Sequence, residues 1–233
     1  MVNLQADHSI LTIHAMSAYW EHHLFELRDH ILMMGGLVEH TLDHAIRALL
    51  ERNDALADLV ENEDHEIDQY EKKIDDYVVT FISTHSPKAQ DCRFLFTATK
   101  IGTELEEIAD QATTIARRAR QLNQRPVFKS SQTIAAMLPE VLAMVRKAIR
   151  AFLEQDIDLA HEVIRQDVLI DTQHKESKRE VEEGIRAEPS NAGAGLHFFT
   201  ISKALERAAD RATSIAEEVV FLVNGRNIRH SGL

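Results

Sequence analysis

Two segments decide the fold: IGTELEEIADQATTIA at 101–116 and ISKALERAADRATSIA at 201–216. When one is shifted by 100 residues onto the other, the two coincide at Ile, Leu, Glu, Asp and Thr positions as well as at several alanines. Their apolar residues recur at steps of three and four, which is the spacing of an amphipathic helix. A shift of 103 residues aligns a second pair of segments, 56–68 and 159–171, again with acidic residues in register. The register of the acidic residues indicates a duplication, because any two amphipathic helices share apolar spacing but not fixed charges.

Helical spacing continues through almost the whole chain. The predicted helices and their ends are Leu24–Leu49, broken by Asn53-Asp54; Leu56–Ile82, stopped by Ser86-Pro87; Leu95–Leu122; Ile134–Phe152; about Asp158–Ala187; and Leu196–Val223, capped by Asn224-Gly225. Proline restricts the residue before it, and Asn-Gly suits a helix C-terminus. Pro139 either kinks the fourth helix or marks its effective start.

The fold class predicted from this pattern is all-α, with six long helices in two tandem three-helix bundles. The predicted organisation is an N-terminal extension at 1–20, a first bundle at 21–122, a linker at 123–130, a second bundle at 131–225 and a C-terminal tail at 226–233. In the second half, Glu188–Gly195 is expected to separate the fifth helix from the sixth.

The amino-acid composition disfavours several classes of fold and function. Lys and Arg number 26 against 38 Asp and Glu, so the formal net charge is −12, which disfavours binding to nucleic acid or to anionic lipid. The 44% apolar content indicates a folded core, and only eight Gly and four Pro argue against an all-β fold. One Cys suits a reducing compartment, and no apolar run approaches the ~20 residues of a membrane helix, so we expect a soluble, cytoplasmic protein.

Four carboxylate pairs stand one helical turn apart, at i and i+4. The candidate metal ligands are Asp64 and Asp68, Glu106 and Asp110, Asp167 and Asp171, and Glu206 and Asp210. Like charges at this spacing destabilise a helix unless a cation bridges them, and hard cations prefer oxygen ligands. Thr113 and Thr213 continue the same ridge and could orient such ligands. The competing interpretation is a solvated acidic face, which the recurrence in both halves makes the less favoured one.

Other candidate sites have weaker support. His40 and His44 form an i, i+4 pair that lacks a histidine counterpart in the second half. Asp171 and His174 resemble half of a ferritin-like site, but Glu71 stands at the first-half counterpart of His174, and a di-iron enzyme needs Glu-x-x-His on two helices. No glycine loop for phosphate, nucleophile elbow or Cys-x-x-Cys is present in the sequence, so catalysis has no support.

The segments MMGGLVE (33–39) and PKAQDCR (87–93), together with the paired LEEIADQATTIA and LERAADRATSIA, resemble the PhoU family of phosphate-transport regulators over roughly residues 21–225. The resemblance implies two three-helix bundles related by a pseudo-twofold axis, multinuclear iron or zinc clusters on the carboxylates, and often a homodimer. It also marks Glu39 and Arg93 as possible interaction residues. The second half lacks a PKAQDCR equivalent.

The same resemblance implies a non-enzymatic function at the cytoplasmic side of a phosphate ABC transporter. A PhoU-like protein would link the transporter ATPase subunit to a sensor histidine kinase and hold down the phosphate-starvation response when phosphate is plentiful. It would meet the membrane only through the transporter. Two alternatives stay open: a metal-storage or redox bundle, and a metal-free helical scaffold accessory to another phosphate transporter.

Overall fold

The computed structural model describes the backbone of residues 4–127 and 132–225, and the side chains of residues 24–127 and 132–225. These residues form six α-helices and one 3₁₀ turn, with no strand among them, which confirms the all-α prediction. The helices are α1 Leu4–Leu50, α2 Asp54–Thr84, α3 Ala89–Asn123, α4 Gln132–Glu154, α5 Ile157–Ala187 and α6 Ala192–Asn224. None of the helices in the described ranges combines the length and the hydropathy needed to cross a bilayer.

The two halves also share the backbone geometry of the turn between their first and second helices. Arg52 and Gln155, which are 103 residues apart, both have positive φ angles, of 52° and 54°. The next residues, Asn53 and Asp156, cap the following helices: each side chain accepts a hydrogen bond of 3.0 Å from a backbone N–H of that helix. A side-chain oxygen at this position satisfies a helix N–H that would otherwise have no partner.

Three predicted helix limits need correction. Helix α1 begins at Leu4 and not near Leu24, since no Gly or Pro interrupts the intervening sequence. Helix α4 begins at Gln132, so Pro139 lies inside it and does not mark its start. Helix α6 begins at Ala192, within the segment expected to be a loop, and a β-carbon at Gly195 inside it would lie 2.7 Å from Ile185 Cδ1. Glycine there permits close packing of α5 on α6.

A fourth predicted limit is also wrong, since α3 begins at Ala89 and not at Leu95. The other helix boundaries agree with the predicted ones to within two residues. Gly225 caps α6 with a φ of 68°, a conformation that glycine adopts without strain. The 3₁₀ turn Pro189–Asn191 occupies, at a shift of 100 residues, the place of the first turn of α3, so the second half differs there in structure as well as in sequence. Residues 128–130 of the predicted linker and the whole tail at 226–233 lie outside the described residues. The division into domains stays a prediction. Helix α1 nevertheless continues unbroken across residue 21, where the first bundle was predicted to begin.

The helices pack as α1, α2 and α3 in one bundle and α4, α5 and α6 in the other. The bundles join where α3 packs on α6 and α1 on α4. At the second junction a β-carbon on Gly35 would lie 2.4 Å from Ile149 Cδ1, so glycine sets how closely α1 and α4 approach. Phe94 and Phe152 stack across the bundles with ring centroids 5.1 Å apart. One continuous apolar core therefore supports both halves.

Ion pairs between the bundles do not follow the repeat. Lys100 Nζ lies 2.9 Å from Oε1 of Glu218, whose side chain is 2% exposed, and Arg211 lies 3.3 Å from Glu104. The positions equivalent to Lys100 and Glu218 are Thr200 and Arg118, which are not a carboxylate–ammonium pair. The two halves therefore share a fold but differ in the charges at their common interface.

Candidate functional site

The carboxylates of α2 and α3 face one another on the surface of the first bundle. We call Asp64, Asp68, Glu106 and Asp110 the first carboxylate cluster. Asp64 and Asp68 lie on α2, and Glu106 and Asp110 lie on α3. Burial raises the pKa of Asp64, and the charges of Asp110 and Asp68 raise it further, so carboxylates of both helices act on one another.

Glu106 shows the strongest effect of this crowding. Burial, followed by the charges of Asp110, Glu71, Glu107 and Asp68, raises its pKa to about 7. Burial and the charges of Glu107 and Asp68 likewise raise the pKa of Asp110, which Arg117 opposes. A carboxylate that is hard to ionise among its neighbours is one that a bound cation would stabilise.

Thr113 is aimed at this cluster from α3. Its side chain is 4% exposed, and its hydroxyl faces Asp64, where it opposes the rise in the pKa of that carboxyl. No partner within the described side chains forms a hydrogen bond of normal geometry with its Oγ1 atom. The Thr113 hydroxyl is therefore directed at the Asp64 carboxylate, without a hydrogen bond of normal geometry among the described side chains.

The second bundle repeats the arrangement on α5 and α6. We call Asp167, Asp171, Glu206 and Asp210 the second carboxylate cluster. Burial, then the charges of Glu206, Asp167 and Asp171, raises the pKa of Asp210 to about 6, against the effect of Lys203. Burial and the charge of Asp171 also raise the pKa of Asp167, while the Thr213 hydroxyl lowers it. Each of the four predicted carboxylate pairs thus faces the pair on the neighbouring helix.

Two nitrogen-bearing side chains distinguish the second cluster. Lys203 Nζ lies 2.6 and 2.5 Å from the two carboxylate oxygens of Glu206. His174 lies near Glu206 and Asp171, whose charges act on its imidazole, although burial lowers its pKa overall. The equivalent residues beside the first cluster are Thr103 and Glu71, and there the Thr103 hydroxyl donates to Glu71 at 3.0 Å.

The donor set of each cluster suits a hard or borderline cation. Carboxylate oxygens from two helices, with a threonine hydroxyl beside them, are ligands that iron, manganese and zinc accept. Among the described side chains, no three of the His, Cys, Asp and Glu type are positioned to hold one ion together. The side chains would therefore have to rotate toward a bound ion. The assignment of the eight carboxylates as metal ligands stays a prediction.

The sequence matches the family model of the PhoU domain twice, at residues 31–119 and 134–219. The chain belongs to the PhoU family. A relative from Pseudomonas putida, named phosphate-specific transport system accessory protein PhoU homolog, is 36% identical over 221 residues, which cover 94% of this chain and 86% of that protein. A relative of the same name from Pseudomonas aeruginosa is 34% identical, with 94% of this chain and 91% of that protein covered.

Solved PhoU structures share the fold. The crystal structure of PhoU from Pseudomonas aeruginosa superposes with a TM-score of 0.85 at 33% identity, covering 89% of this chain and all of that one. The phosphate transport system regulatory protein PhoU from Streptococcus pneumoniae gives a TM-score of 0.82 at 25% identity, covering 89% of this chain and 98% of that one. The family resemblance and the tandem bundles predicted from the sequence are confirmed.

The surroundings of the PhoU carboxylates contain residues that the pattern of repeated pairs did not select. Glu71 and Glu107 act on the first cluster, and Lys203 acts on the second. They vary between the halves, so a search for repeated residues passes over them. Among the weaker candidates, His44 Nδ1 lies 2.9 Å from Glu63 Oε1, and Glu39 pairs with Arg146 of α4. Each of the two residues thus contacts a neighbouring helix.

Proposed function

We propose that this protein is a non-enzymatic accessory protein of a phosphate transport system that regulates phosphate uptake and the phosphate-starvation response. Membership of the PhoU family is the observation that carries the proposal, since the named relatives are accessory proteins of phosphate-specific transport systems. The clusters add to it, because they stand on helix faces at the surface, where a docking partner can reach them.

The regulation we propose proceeds through protein contacts. The net charge of −12 disfavours binding to DNA. Two bundles joined through α3, α6, α1 and α4 form a scaffold that can present helix faces to two partners at once. We propose that these partners are the ATPase subunit of a phosphate ABC transporter and a sensor histidine kinase, in the cytoplasm. Repression when phosphate is plentiful and a homodimeric state belong to the same proposal.

Metal binding by both clusters is part of the proposed mechanism. Asp64, Asp68, Glu106 and Asp110 would hold metal in the first bundle, and Asp167, Asp171, Glu206 and Asp210 in the second. When bound, multinuclear iron or zinc clusters would neutralise these carboxylates. The chain's own carboxylates then no longer repel each other, so the spacing of α2 to α3 and of α5 to α6 is fixed at the docking surface.

Removal of each pair on α3 and α6 tests this proposal. We expect Glu106→Ala/Asp110→Ala to remove the metal of the first cluster, Glu206→Ala/Asp210→Ala that of the second, and both to weaken phosphate-dependent repression. The readouts are elemental analysis of untagged protein and expression of a phosphate-starvation reporter. A matched control is Glu182→Ala/Glu183→Ala on the exposed face of α5, where both readouts should stay unchanged. Unchanged metal content and repression in both cluster variants would contradict the proposal.

A metal-free scaffold is the second candidate function. It is favoured by the described side chains as they stand, because no three of the ligating type surround one point. Untagged protein that contains no stoichiometric metal but still represses in a phosphate-dependent way would support this candidate. Iron loading in air with turnover of peroxide or oxygen would instead favour the storage or redox alternative.

A further inference from the structure

The two carboxylate clusters are built on equivalent helices but differ in one donor. By the shift of 103 residues, His174 in α5 stands where α2 has Glu71. By the shift of 100 residues, Ser202 in α6 stands where α3 has Gly102. His174 and Ser202 contact each other, with Nδ1 lying 2.7 Å from Ser202 Oγ. The second cluster therefore has an imidazole held by a hydroxyl, where the first has a carboxylate beside a glycine.

The hydrogen bond to Ser202 can set which ring nitrogen is free. Ser202 is fully buried, and its Oγ also lies 4.0 Å from Met137 Sδ, a weak acceptor. If the Ser202 hydroxyl donates to this sulfur, its oxygen accepts from Nδ1–H of His174. The neutral ring then has an unprotonated Nε2, which is the form that binds metal ions. Metal-ligating histidines usually donate their other N–H to a partner of this kind.

His174 lies beside the carboxylates, and a rotation of these side chains would let them share an ion, since no three described ligating side chains surround one point as they stand. It lies one helical turn from Asp171 on α5, and the charges of Asp171 and Glu206 both act on its ring. At the equivalent position the first cluster has Glu71, a further carboxylate whose charge acts on Glu106. The first cluster thus contains only oxygen donors, whereas the second combines oxygen with imidazole.

We propose that His174 is a metal ligand of the second carboxylate cluster, positioned by Ser202, and that it makes this cluster the more selective of the two for zinc and other borderline cations over manganese. Imidazole nitrogen favours Zn²⁺, whereas carboxylate oxygen suits Mn²⁺. This inference rests on the proposed function, since it assumes that both clusters take metal.

The experiment measures the ratio of the Zn²⁺ to the Mn²⁺ association constant at each cluster separately. Untagged full-length protein with Glu106→Ala/Asp110→Ala isolates the second cluster, and Glu206→Ala/Asp210→Ala isolates the first. We expect the ratio to be at least about tenfold higher for the second cluster. His174→Glu in the first background should lower the ratio to that of the first cluster.

The converse change transfers the histidine–serine pair to the first bundle. Glu71→His/Gly102→Ser, in the background that isolates the first cluster, should raise the Zn²⁺ to Mn²⁺ ratio. A β-carbon on Gly102 would lie 3.5 Å from Ile74 and 4.0 Å from Glu71, which is ordinary packing distance, so the position accepts serine. Ser202→Ala should weaken Zn²⁺ binding about tenfold while leaving Mn²⁺ binding nearly unchanged.

A spectroscopic readout tests the ligand itself. Long-range ¹H–¹⁵N NMR of the ring of His174 should show a proton on Nδ1 and a shift of Nε2 when Zn²⁺ binds. The control is His161, about 20 Å away along α5, whose ring signals should not move; His161→Gln should leave the metal ratio unchanged. Circular dichroism of each variant checks that the helices form.

The outcomes separate the two proposals. Metal in both backgrounds with equal Zn²⁺ to Mn²⁺ ratios, or with no change at Nε2 of His174, overturns this inference and leaves the proposed function standing. Metal in neither background overturns the metal-binding part of the proposed function and this inference with it.

Discussion

The first and second carboxylate clusters have the same four acidic positions but different surroundings. Around the first, Glu71 and Glu107 add negative charge, and burial with these charges raises the pKa of Glu106 to about 7. Around the second, the equivalent positions are His174 and Arg207, and Lys203 binds Glu206 directly. The difference indicates that helix packing depends only on the positions that repeat in both halves. The residues beside each carboxylate pair can vary, and they determine the charge of each cluster.

The largest expected effect tests whether the two bundles are equally packed. Leu105 and Leu205 are equivalent and fully buried, so each change to Ala should lower the free energy of unfolding by about 3 kcal/mol. Urea denaturation followed by circular dichroism measures both variants. Leu59→Ala, at a position that is 45% exposed, should cost less than about 0.5 kcal/mol. Loss confined to one of the buried positions would show that the bundles are not equivalent in packing.

The ion pair between the bundles should give the next largest effect. Lys100→Ala removes the ammonium that lies 2.9 Å from the carboxylate of Glu218, which is 2% exposed, at a cost of about 2 kcal/mol. The matched control is Thr200→Ala at the equivalent position of the second half, where the hydroxyl donates to Leu196 O at 2.8 Å. Urea denaturation measures the free energy of unfolding of both variants. An equal loss in the two would contradict a stabilising ion pair at Lys100 that has no counterpart at Thr200.

The lysine of the second cluster should affect metal affinity. Because the ammonium of Lys203 binds Glu206, a cation has to displace it, so Lys203→Thr should tighten Zn²⁺ binding about tenfold, or ~1.4 kcal/mol. Calorimetric titration in the Glu106→Ala/Asp110→Ala background measures this change. Lys175→Thr, an exposed lysine of α5, serves as the control and should have no effect. Weaker binding in Lys203→Thr would mean that the lysine organises the site.

The smallest effect is the pH dependence of the metal-free protein. Burial raises the pKa of Glu106 from 4.5 to about 7. Between these pH values the Glu106 carboxyl group is ionised in the unfolded chain but protonated in the folded protein. The free energy of unfolding therefore falls as the pH rises through this window, by on the order of 1 kcal/mol given the solvent exposure of the group. For Asp210 the window is 3.8 to about 6.

Two variants show which carboxyl group causes this pH dependence of the free energy of unfolding. Glu106→Gln should flatten the fall in the free energy of unfolding above pH 6, while Asp210→Asn should flatten it only below that value. The measurement is urea denaturation between pH 4.5 and 7.5 in the presence of a chelator. If the slope above pH 6 is the same in Glu106→Gln as in the unchanged protein, the crowding of the first cluster is weaker than its geometry indicates.

Much of the fold could be predicted from the sequence because local signals are strong where they occur. Asn53, the Ser86-Pro87 step and Gly225 end or begin helices as expected, and the apolar steps identify the core. Prediction failed where tertiary contact overrides a local signal. Gly195 is a loop signal in isolation, yet it lies inside α6, where the absence of a side chain lets Ile185 of α5 approach closely.

The carboxylate clusters could be predicted only in part. The repeat selects residues that are identical in both halves, and these include all four i, i+4 pairs. It passes over Lys203 and Glu107, because the equivalent positions in the other half are Thr103 and Arg207, so neither residue repeats. The pairing of α3 with α6 also has no local signal, since apolar stripes of similar width occur on every helix.

Anomalous X-ray scattering from crystals of the untagged protein tests most directly whether the paired carboxylates hold cations. We expect anomalous density between Asp64, Asp68, Glu106 and Asp110, and again between Asp167, Asp171, Glu206 and Asp210, with His174 at the edge of the second site. Crystals grown with iron or zinc present that lack density at both places would contradict the proposal of two metal sites on a duplicated scaffold.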